Sequence, residues 1–307
     1  MGRRLTPIPR PLLRGPFTTE RAVAAGLDKK RLRVHDVAHP FRGVHVAAGT
    51  AETTLSRCAA YLLRMPSDGF YCGPTAAIIQ GVPLPIGLEQ ATELHVGVPR
   101  PHRAVRRAGV IGHKLDVAEH QVRMWRGLPV TEPARTWRDL APHLSLDDLI
   151  AAGDHLLSGD LPLATRDELT TAAVAASGAR GARRLVQALP LLDGRSESRR
   201  ETRLRLLLIR AGIDGFEPNH WVTLARPRRR YRIDIAFPHV RVGLEYQGEY
   251  HHDLEQWRDD MTRLSRLRAD GWTMVEISSQ DLHDPAELAH RIRRIVEGTS
   301  RSAHDPR

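Results

Sequence analysis

Three alternating segments in the last third of the chain constrain its fold more than any other feature. They read WVTLA, RRYRIDIAF and VRVGLEYQ, and each alternates apolar and polar residues at the period of a β-strand. A helical pattern, SESRRETRLRLLLIRAGI, precedes them, and EQWRDDMTRLSRLRADG, WTMVEI and PAELAHRIRRIVEG follow. The order of helix, three strands, helix, strand and helix predicts a mixed sheet flanked by helices.

Two carboxylates and an amide interrupt these apolar strands. Asp234 lies between Ile233 and Ile235, which we expect on the opposite face, and Glu245 and Gln247 share one face of the next strand. Because the connection FPHVR is short, the two strands should pair antiparallel and bring Asp234 near Glu245. Converging carboxylates are costly unless a positive charge lies between them.

A divalent cation would supply that charge. Oxygen ligands with retained waters suit Mg²⁺, with Mn²⁺ as its substitute, and such a metal activates water and stabilises a scissile phosphate. The pattern predicts Asp234 and Glu245 as ligands, Gln247 as the residue that orients water, and Glu201 on the preceding helix as an outer carboxylate. The alternative is an exposed polar sheet face with solvated charges.

Histidine and arginine residues extend the predicted site. His251 and His252 follow a glycine turn, where an imidazole can take a proton from water or bind a phosphate oxygen. Arg258 and Arg263, on the next predicted helix, can contact a nucleic-acid backbone.

The first 50 residues carry most of the net charge of +10, with 10 Lys or Arg against 3 Asp or Glu. Thr18 or Thr19 can cap a helix through Ala25, Asp28 can cap a second helix, and FRGVHVA reads as a strand or wing. This order predicts a winged helix-turn-helix. The residues expected to contact DNA are Lys29, Lys30, Arg31, Arg33 and Arg42. The alternative is a small helical cap with a solvated basic face.

The middle of the chain alternates helical and strand patterns without recognisable chemistry. Its histidines show no metal-ligand spacing and are interpreted as ordinary surface or core residues: His95, His102, His113, His120, His143 and His155. Cys58 and Cys72 are interpreted as buried apolar residues. No apolar run approaches the ~18 residues of a membrane span, and the basic N-terminus lacks a signal-peptide core. These features predict a cytoplasmic protein without a membrane partner.

Residues 17–157 resemble the AbiEi-type antitoxin family, whose members join an N-terminal winged helix to an α/β domain. The matching stretches are FTTERAVAAGL, FRGVHVA, GPTAAIIQGVPLP and LPVTEPARTWRDLA. The resemblance implies an N-terminal DNA-binding domain, frequent autoregulation of an operon, and a cognate toxin as a partner.

Residues 194–297 resemble the DUF559 family, a Vsr-like branch of the PD-(D/E)xK nuclease superfamily. SESRRETRLRLLLIRAG, RYRIDIAFPHVRVGLEYQGEYHH, RDDMTRLSRLRADGW and VEISSQDL carry the match. It implies that Asp234 and Glu245 bind metal, that Glu201 is the helical acid and that His251 is the post-turn histidine. Gln247 departs from the pattern, because the superfamily usually has Lys and this branch commonly Asp there. A glutamine can only orient water through hydrogen bonds.

The sequence therefore predicts a multi-domain α/β protein. Residues 1–50 would form the winged helix-turn-helix, residues 51–190 an AbiEi-like α/β domain, and residues 191–307 a restriction-endonuclease-like domain with a mixed sheet flanked by helices. The predicted function is Mg²⁺-dependent endodeoxyribonuclease activity. The alternative is a DNA-binding antitoxin or repressor with a catalytically inactive nuclease-like domain.

Overall fold

The computed structural model describes residues 6–224, 228–247 and 254–304, the ranges 254–257 and 301–304 by backbone alone. Backbone contacts divide the chain into two compact units. One comprises Met1–Leu144 with Asp167–Ala182, and the other comprises Ser145–Arg166 with Arg183–Arg307. The helices and three sheets confirm the multi-domain α/β class.

The first unit begins with a small antiparallel sheet and one short helix. Its elements are β1 (Phe17–Thr18), α1 (Thr19–Ala24), β2 (Val37–Phe41) and β3 (Val44–Ala47), with strand order β1-β3-β2. Thr18 caps α1 by accepting a hydrogen bond from the Arg21 N–H at 3.2 Å, as predicted. Gly26, with φ of 88°, follows the helix in the left-handed region that glycine favours.

The second N-terminal helix is absent in this described segment, so that prediction is wrong. Arg31–Arg33 forms only a three-residue 3-10 turn. Asp28 accepts from the Lys30 N–H at 2.8 Å, but Arg31 turns inward to bond the Thr6 carbonyl and Asp36. Because β2 starts at Val37, too few residues remain for a stable second helix.

A six-stranded mixed sheet with flanking helices forms the rest of this unit. Its strands are β4 (Phe70–Tyr71), β5 (Leu94–Pro99), β6 (Arg106–Arg107), β7 (Val110–Leu115), β8 (Val122–Trp125) and β9 (Leu128–Thr131), in the order β6-β7-β5-β4-β9-β8. Its helices include α2 (Thr54–Leu62), α3 (Gly73–Gln80), α4 (Ile86–Glu89) and α5 (Pro133–Leu140). Tyr61, Tyr71, Leu94 and Val96 lie in its core. Cys58 and Cys72 are buried, uncrosslinked thiols.

Three further helices follow: α6 (Leu146–Leu157), α7 (Arg166–Val174) and α8 (Ala182–Ala188). Helix α6 belongs to the second unit, where it packs against α9 (Arg199–Arg210). The carboxylate of Asp154, fully buried on α6, accepts hydrogen bonds of 2.8 Å from both Thr202 and Arg205 on α9. The carboxylate also accepts from the Asp193 N–H at 2.7 Å. These three hydrogen bonds connect α6 to α9 and to the segment just before α9.

The second unit contains the mixed sheet that the alternating segments predict. After α9 come β10 (Glu217–Leu224), β11 (Arg229–Phe237), β12 (Val242–Tyr246), α10 (Leu254–Ala269), β13 (Thr273–Ile277) and α11 (Pro285–His304). The strand order is β10-β11-β12-β13, with β12 and β13 parallel and the other pairs antiparallel. One core, with Leu204, Leu244 and Ile292, includes residues of α9 and α11, and another, with Leu264 and Trp272, includes residues of α10.

Over the described ranges, every helix is too short or too polar to cross a bilayer.

Candidate active site

Asp234 lies where β11 and β12 separate. Their backbone pairing runs from Phe237 opposite Val242 to Ile235 opposite Leu244, and the next residue of β11 is Asp234. There a side chain replaces the backbone as the acceptor between the strands: an Asp234 carboxylate oxygen accepts the Tyr246 N–H at 2.9 Å. A carboxylate therefore fills the gap at the open end of the strand pair.

The strand alternation changes at this point. Ile233 and Ile235, expected on one face, pack in different core clusters, the first with Trp272 and the second with Leu244. That expectation is wrong. Asn219 on β10, between the partners of Ile233 and Ile235, has φ of 51°, which distorts the sheet beside Asp234.

Glu245 is buried on β12 and forms an ion pair with Arg263 of α10. The Arg263 guanidinium donates to both carboxylate oxygens, at 2.7 and 3.0 Å, and to the Arg232 carbonyl at 3.2 Å. The Glu245 side chain is 10% exposed. Glu245 is therefore a buried, paired side chain, and the alternative of an exposed sheet face with solvated charges does not describe it.

Negative charge exceeds positive charge around Asp234. Burial, followed by the Glu245 carboxylate, raises the pKa of Asp234 to about 7. Burial also raises the pKa of Glu245, although Arg263 opposes it. Glu201 acts on both groups electrostatically, and Asp260 lies 3.7 Å from Arg263. Arg263 thus faces three carboxyl groups, those of Glu245, Asp260 and Asp234, an arrangement that favours a bound cation.

Glu201 is held in place by the start of α9. It is the third residue of that helix and is buried, and its carboxylate accepts the Glu197 N–H at 2.9 Å and the Asn219 amide at 2.7 Å. Ser198 caps the same turn. Glu201 therefore orients Asn219, which sequence reasoning missed because an asparagine within a strand pattern carries no distinctive spacing.

The Asn219 side-chain oxygen is buried without a hydrogen-bond donor among the described residues. A buried polar atom without a partner carries a free-energy cost of about 1–3 kcal/mol. An amide oxygen is also a ligand for hard cations or their waters. Together with the charge excess, this orphaned atom makes the site suited to a divalent cation.

Gln247 lies at the end of β12, and its side-chain amide donates to Glu276 of β13. Glu276 is the backbone partner of Glu245 in the parallel pair and also accepts from Arg268 at 2.7 Å. Glu276 was not among the predicted site residues, although it follows the buried Met274 by two positions and so shares its face of β13. The Gln247 amide group is thus positioned by a carboxylate.

The remaining predicted residues are spread over both units. Arg258 is exposed on α10, and His251 and His252 lie outside the described residues. Of the predicted DNA contacts in the first unit, four are exposed: Lys29, Lys30, Arg33 and Arg42, the last in the turn between β2 and β3. Arg31 differs from them, because it is buried and donates to both Asp36 oxygens at 2.7 and 2.6 Å.

Asp234 and Glu245 are the side chains that would hold Mg²⁺. Two carboxylates with retained waters are a common Mg²⁺ donor set. Within the described ranges, no three His, Cys, Asp or Glu side chains form a ligand group, so the pair would act without a third such ligand from those ranges. Arg263 would compete with a cation for the Glu245 oxygens.

No family model matches the chain. A protein of Mycobacterium tuberculosis is 30% identical over 259 residues, which cover 82% of this chain and 90% of the relative. It is named "Uncharacterized protein Rv2248" in strain H37Rv and "Uncharacterized protein MT2308" in strain CDC 1551. The DUF559 and AbiEi resemblances remain expectations, and the chain belongs to the family of these mycobacterial proteins.

Proposed function

We propose that the protein is a Mg²⁺-dependent endodeoxyribonuclease whose catalytic residues lie at the separation of β11 and β12. The observation that carries the proposal is Asp234, a partly buried carboxyl group beside Glu245 with a pKa raised to about 7. Structural ion pairs ordinarily lower the pKa of an acid. A carboxylate pair that lacks sufficient positive charge is instead typical of a site that a cation completes.

Each residue would have a distinct task. Asp234 and Glu245 would hold the cation, which supplies an activated water and stabilises charge on the scissile phosphate. Gln247, oriented by Glu276, would hold the attacking water by a hydrogen bond. Glu201 would act indirectly, by holding Asn219 in place. His251 is the proposed base or phosphate ligand.

Arg263 would change partners as the cation binds. In the described structure both of its terminal nitrogens donate to Glu245, and its Nε lies 3.7 Å from an Asp260 carboxylate oxygen. If one Glu245 oxygen were given to the cation, Arg263 would have an N–H available for a phosphate oxygen of the DNA. Arg258, exposed on the same helix, would contact the backbone.

The first unit would bind DNA through Lys29, Lys30, Arg33 and Arg42, and the proposed location is the cytoplasm. The exposed side chains of these residues support the binding role, and resemblance to AbiEi-type antitoxins suggests a toxin protein as a further partner. Because Arg31–Arg33 forms only one 3-10 turn, the proposed mode of binding is contact with the phosphate backbone and not insertion of a long helix into the major groove.

Plasmid nicking tests the catalytic proposal. Supercoiled plasmid is incubated with Mg²⁺ or Mn²⁺ and either wild type, Asp234→Asn, Glu245→Gln or the surface control Arg123→Gln. We expect nicking by wild type and the control and at least a hundredfold less by the two site variants, since general metal-assisted catalysis depends on both carboxylates. Equal nicking by wild type and Asp234→Asn would refute the proposal.

We propose as the second candidate a DNA-binding antitoxin or repressor in which the nuclease-like unit is a scaffold. The bidentate Arg263–Glu245 pair favours it, because a permanent pair leaves one carboxylate for a metal. Gln247 favours it too, because glutamine cannot act as a base. Specific operator binding with no cleavage under any metal, retained in Asp234→Asn, would support this candidate over the first.

A further inference from the structure

The first unit contains a polar cavity that does not involve the carboxylates discussed above. It has a volume of about 340 Å³ and is lined by the start of α3, by β7 and by α5. Cavities of about 300–1,000 Å³ are typical of small-molecule sites. Its basic lining residues are Arg100, Lys114, Arg135, Arg138 and Arg180.

Three histidines that are far apart in sequence meet in this cavity. His95 Nδ1 and His113 Nε2 lie 3.0 Å apart, with ring centroids separated by 5.1 Å. The His143 ring approaches His95 edge-on at 5.4 Å. Burial lowers the pKa of His95 to about 4 and also lowers those of His113 and His143. Neutral rings can donate hydrogen bonds without adding to the charge of the cavity.

The charges of the lining are unbalanced. Arg135 is neutralised by Asp139, which it contacts at 3.0 and 3.2 Å, and Asp116 is the other acid of the lining. In the described parts of the chain, the other four basic residues of the lining make no ion pair within 4.0 Å. Burial, followed by Arg135, lowers the pKa of Arg138, which shows that its charge is held at a cost.

The first turn of α3 adds a weaker contribution of the same sign. Cys72 precedes this helix and makes no capping hydrogen bond with its side chain, and Cys72 and Gly73 both line the cavity. The positive end of a helix dipole favours anions, although Pro74 at the second position of α3 has no N–H to donate. Cations, the positive end of α3 and neutral imidazole donors thus line one volume.

We propose that this cavity binds a small phosphorylated molecule, whose phosphate is held by Arg138, Arg180 and Lys114 and by hydrogen bonds from the histidine cluster. Arginine side chains match the tetrahedral oxygens of phosphate and bind it by paired hydrogen bonds. The volume leaves room for an organic portion beyond one phosphate. A metal fits the observations less well, because the described residues form no three-ligand group here.

Calorimetric titration of the full chain tests this site. AMP, pyrophosphate, uncharged adenosine and a 5′-phosphorylated oligonucleotide are titrated in EDTA, which removes any divalent cation from the carboxylate pair. We expect AMP or pyrophosphate to bind with one molecule per chain and adenosine not to bind. Arg138→Gln and the exposed Arg180→Gln should each weaken binding at least about tenfold.

Arg123→Gln is the matched control, since it removes the same charge from a surface strand away from the cavity. It should leave the dissociation constant unchanged, and circular dichroism verifies the fold of each variant. Absence of binding by both AMP and pyrophosphate would overturn the proposal. So would equal affinity of wild type and Arg180→Gln, or binding of the oligonucleotide alone.

Discussion

The Arg263 guanidinium and the Glu245 carboxylate form two parallel hydrogen bonds of 2.7 and 3.0 Å inside the C-terminal sheet. Arg263 thereby supplies positive charge to a group of carboxylates that also includes Asp234 and Asp260. The consequence of this pairing is twofold: it stabilises the fold without a cation, and it opposes binding of the cation. Stability and metal affinity should therefore respond in opposite directions to loss of Arg263.

Arg263→Met should destabilise the protein by about 3 kcal/mol, because Glu245 is left buried without its partner. Chemical denaturation with and without 5 mM Mg²⁺ measures the effect. The loss of stability relative to wild type should be smaller in Mg²⁺, because the cation binds Glu245 in the variant without competition from Arg263. Arg258→Met, the same change at an exposed position of α10, should stay within about 0.5 kcal/mol of wild type. Equal losses with and without Mg²⁺ would show that the arginine and the cation do not compete.

Asp234→Asn should stabilise the metal-free protein strongly at pH 8 and clearly less at pH 5. The folded pKa of about 7 exceeds the ordinary value of 3.8, so the native state retains a proton that the unfolded chain has lost. Wild-type stability therefore falls as the pH rises from about 4 through 7, by up to about 4 kcal/mol at 1.36 kcal/mol per pKa unit.

Thermal unfolding in EDTA at the two pH values gives the measurement. Asparagine keeps an oxygen that can accept the Tyr246 N–H, so the comparison isolates the charge. A difference between the variant and wild type that is the same at pH 5 and pH 8 would contradict the raised pKa.

The apolar patterns were sufficient to predict the C-terminal strands and helices, because each pattern extends over several residues and is separated from the next by a clear turn. The pattern also placed Asp234 and Glu245 on neighbouring strands, as observed. It did not predict the partner of Glu245, since whether Arg263 faces solvent or the sheet depends on how α10 is rotated. Long-range side-chain contacts of this kind leave no local signal.

Local patterns failed most clearly in the first 50 residues and in the histidines. Asp28 and four basic residues suggested a helix, but the tertiary bond of Arg31 to Asp36 overrides this preference. His95 and His113 are 18 residues apart and meet only because β5 and β7 are adjacent parallel strands. Sequence spacing cannot reveal such a cluster.

A fragment of residues 191–307 should be much less stable than one of residues 145–307. The shorter fragment lacks α6 and so leaves the buried Arg205 without Asp154. Loss of one partner from a buried ion pair costs about 3–5 kcal/mol. Urea unfolding of both fragments checks this expectation, and Asp154→Ala in the longer fragment should reproduce most of the loss. Equal unfolding midpoints for the two fragments would rule out the role assigned to α6.

Lys29→Gln and Lys30→Gln should weaken DNA binding with little dependence on DNA sequence. Each exposed lysine that contacts a phosphate adds about 0.9 to the slope of log K against log salt, so the double variant should lower it by about 1.8. Fluorescence anisotropy over a salt series measures the slope. Arg31→Gln should instead lower the melting temperature, because Asp36 loses its partner. An unchanged slope in the double variant would place the DNA contacts elsewhere.

Anomalous diffraction from crystals grown with Mn²⁺ tests the central claim most directly. We predict a peak at coordination distance from carboxylate oxygens of both Asp234 and Glu245, with Arg263 withdrawn from at least one Glu245 oxygen. Crystals of Asp234→Asn should lack the peak. A map at saturating Mn²⁺ with no peak beside Asp234, and with Arg263 still bound to both Glu245 oxygens, would contradict the account.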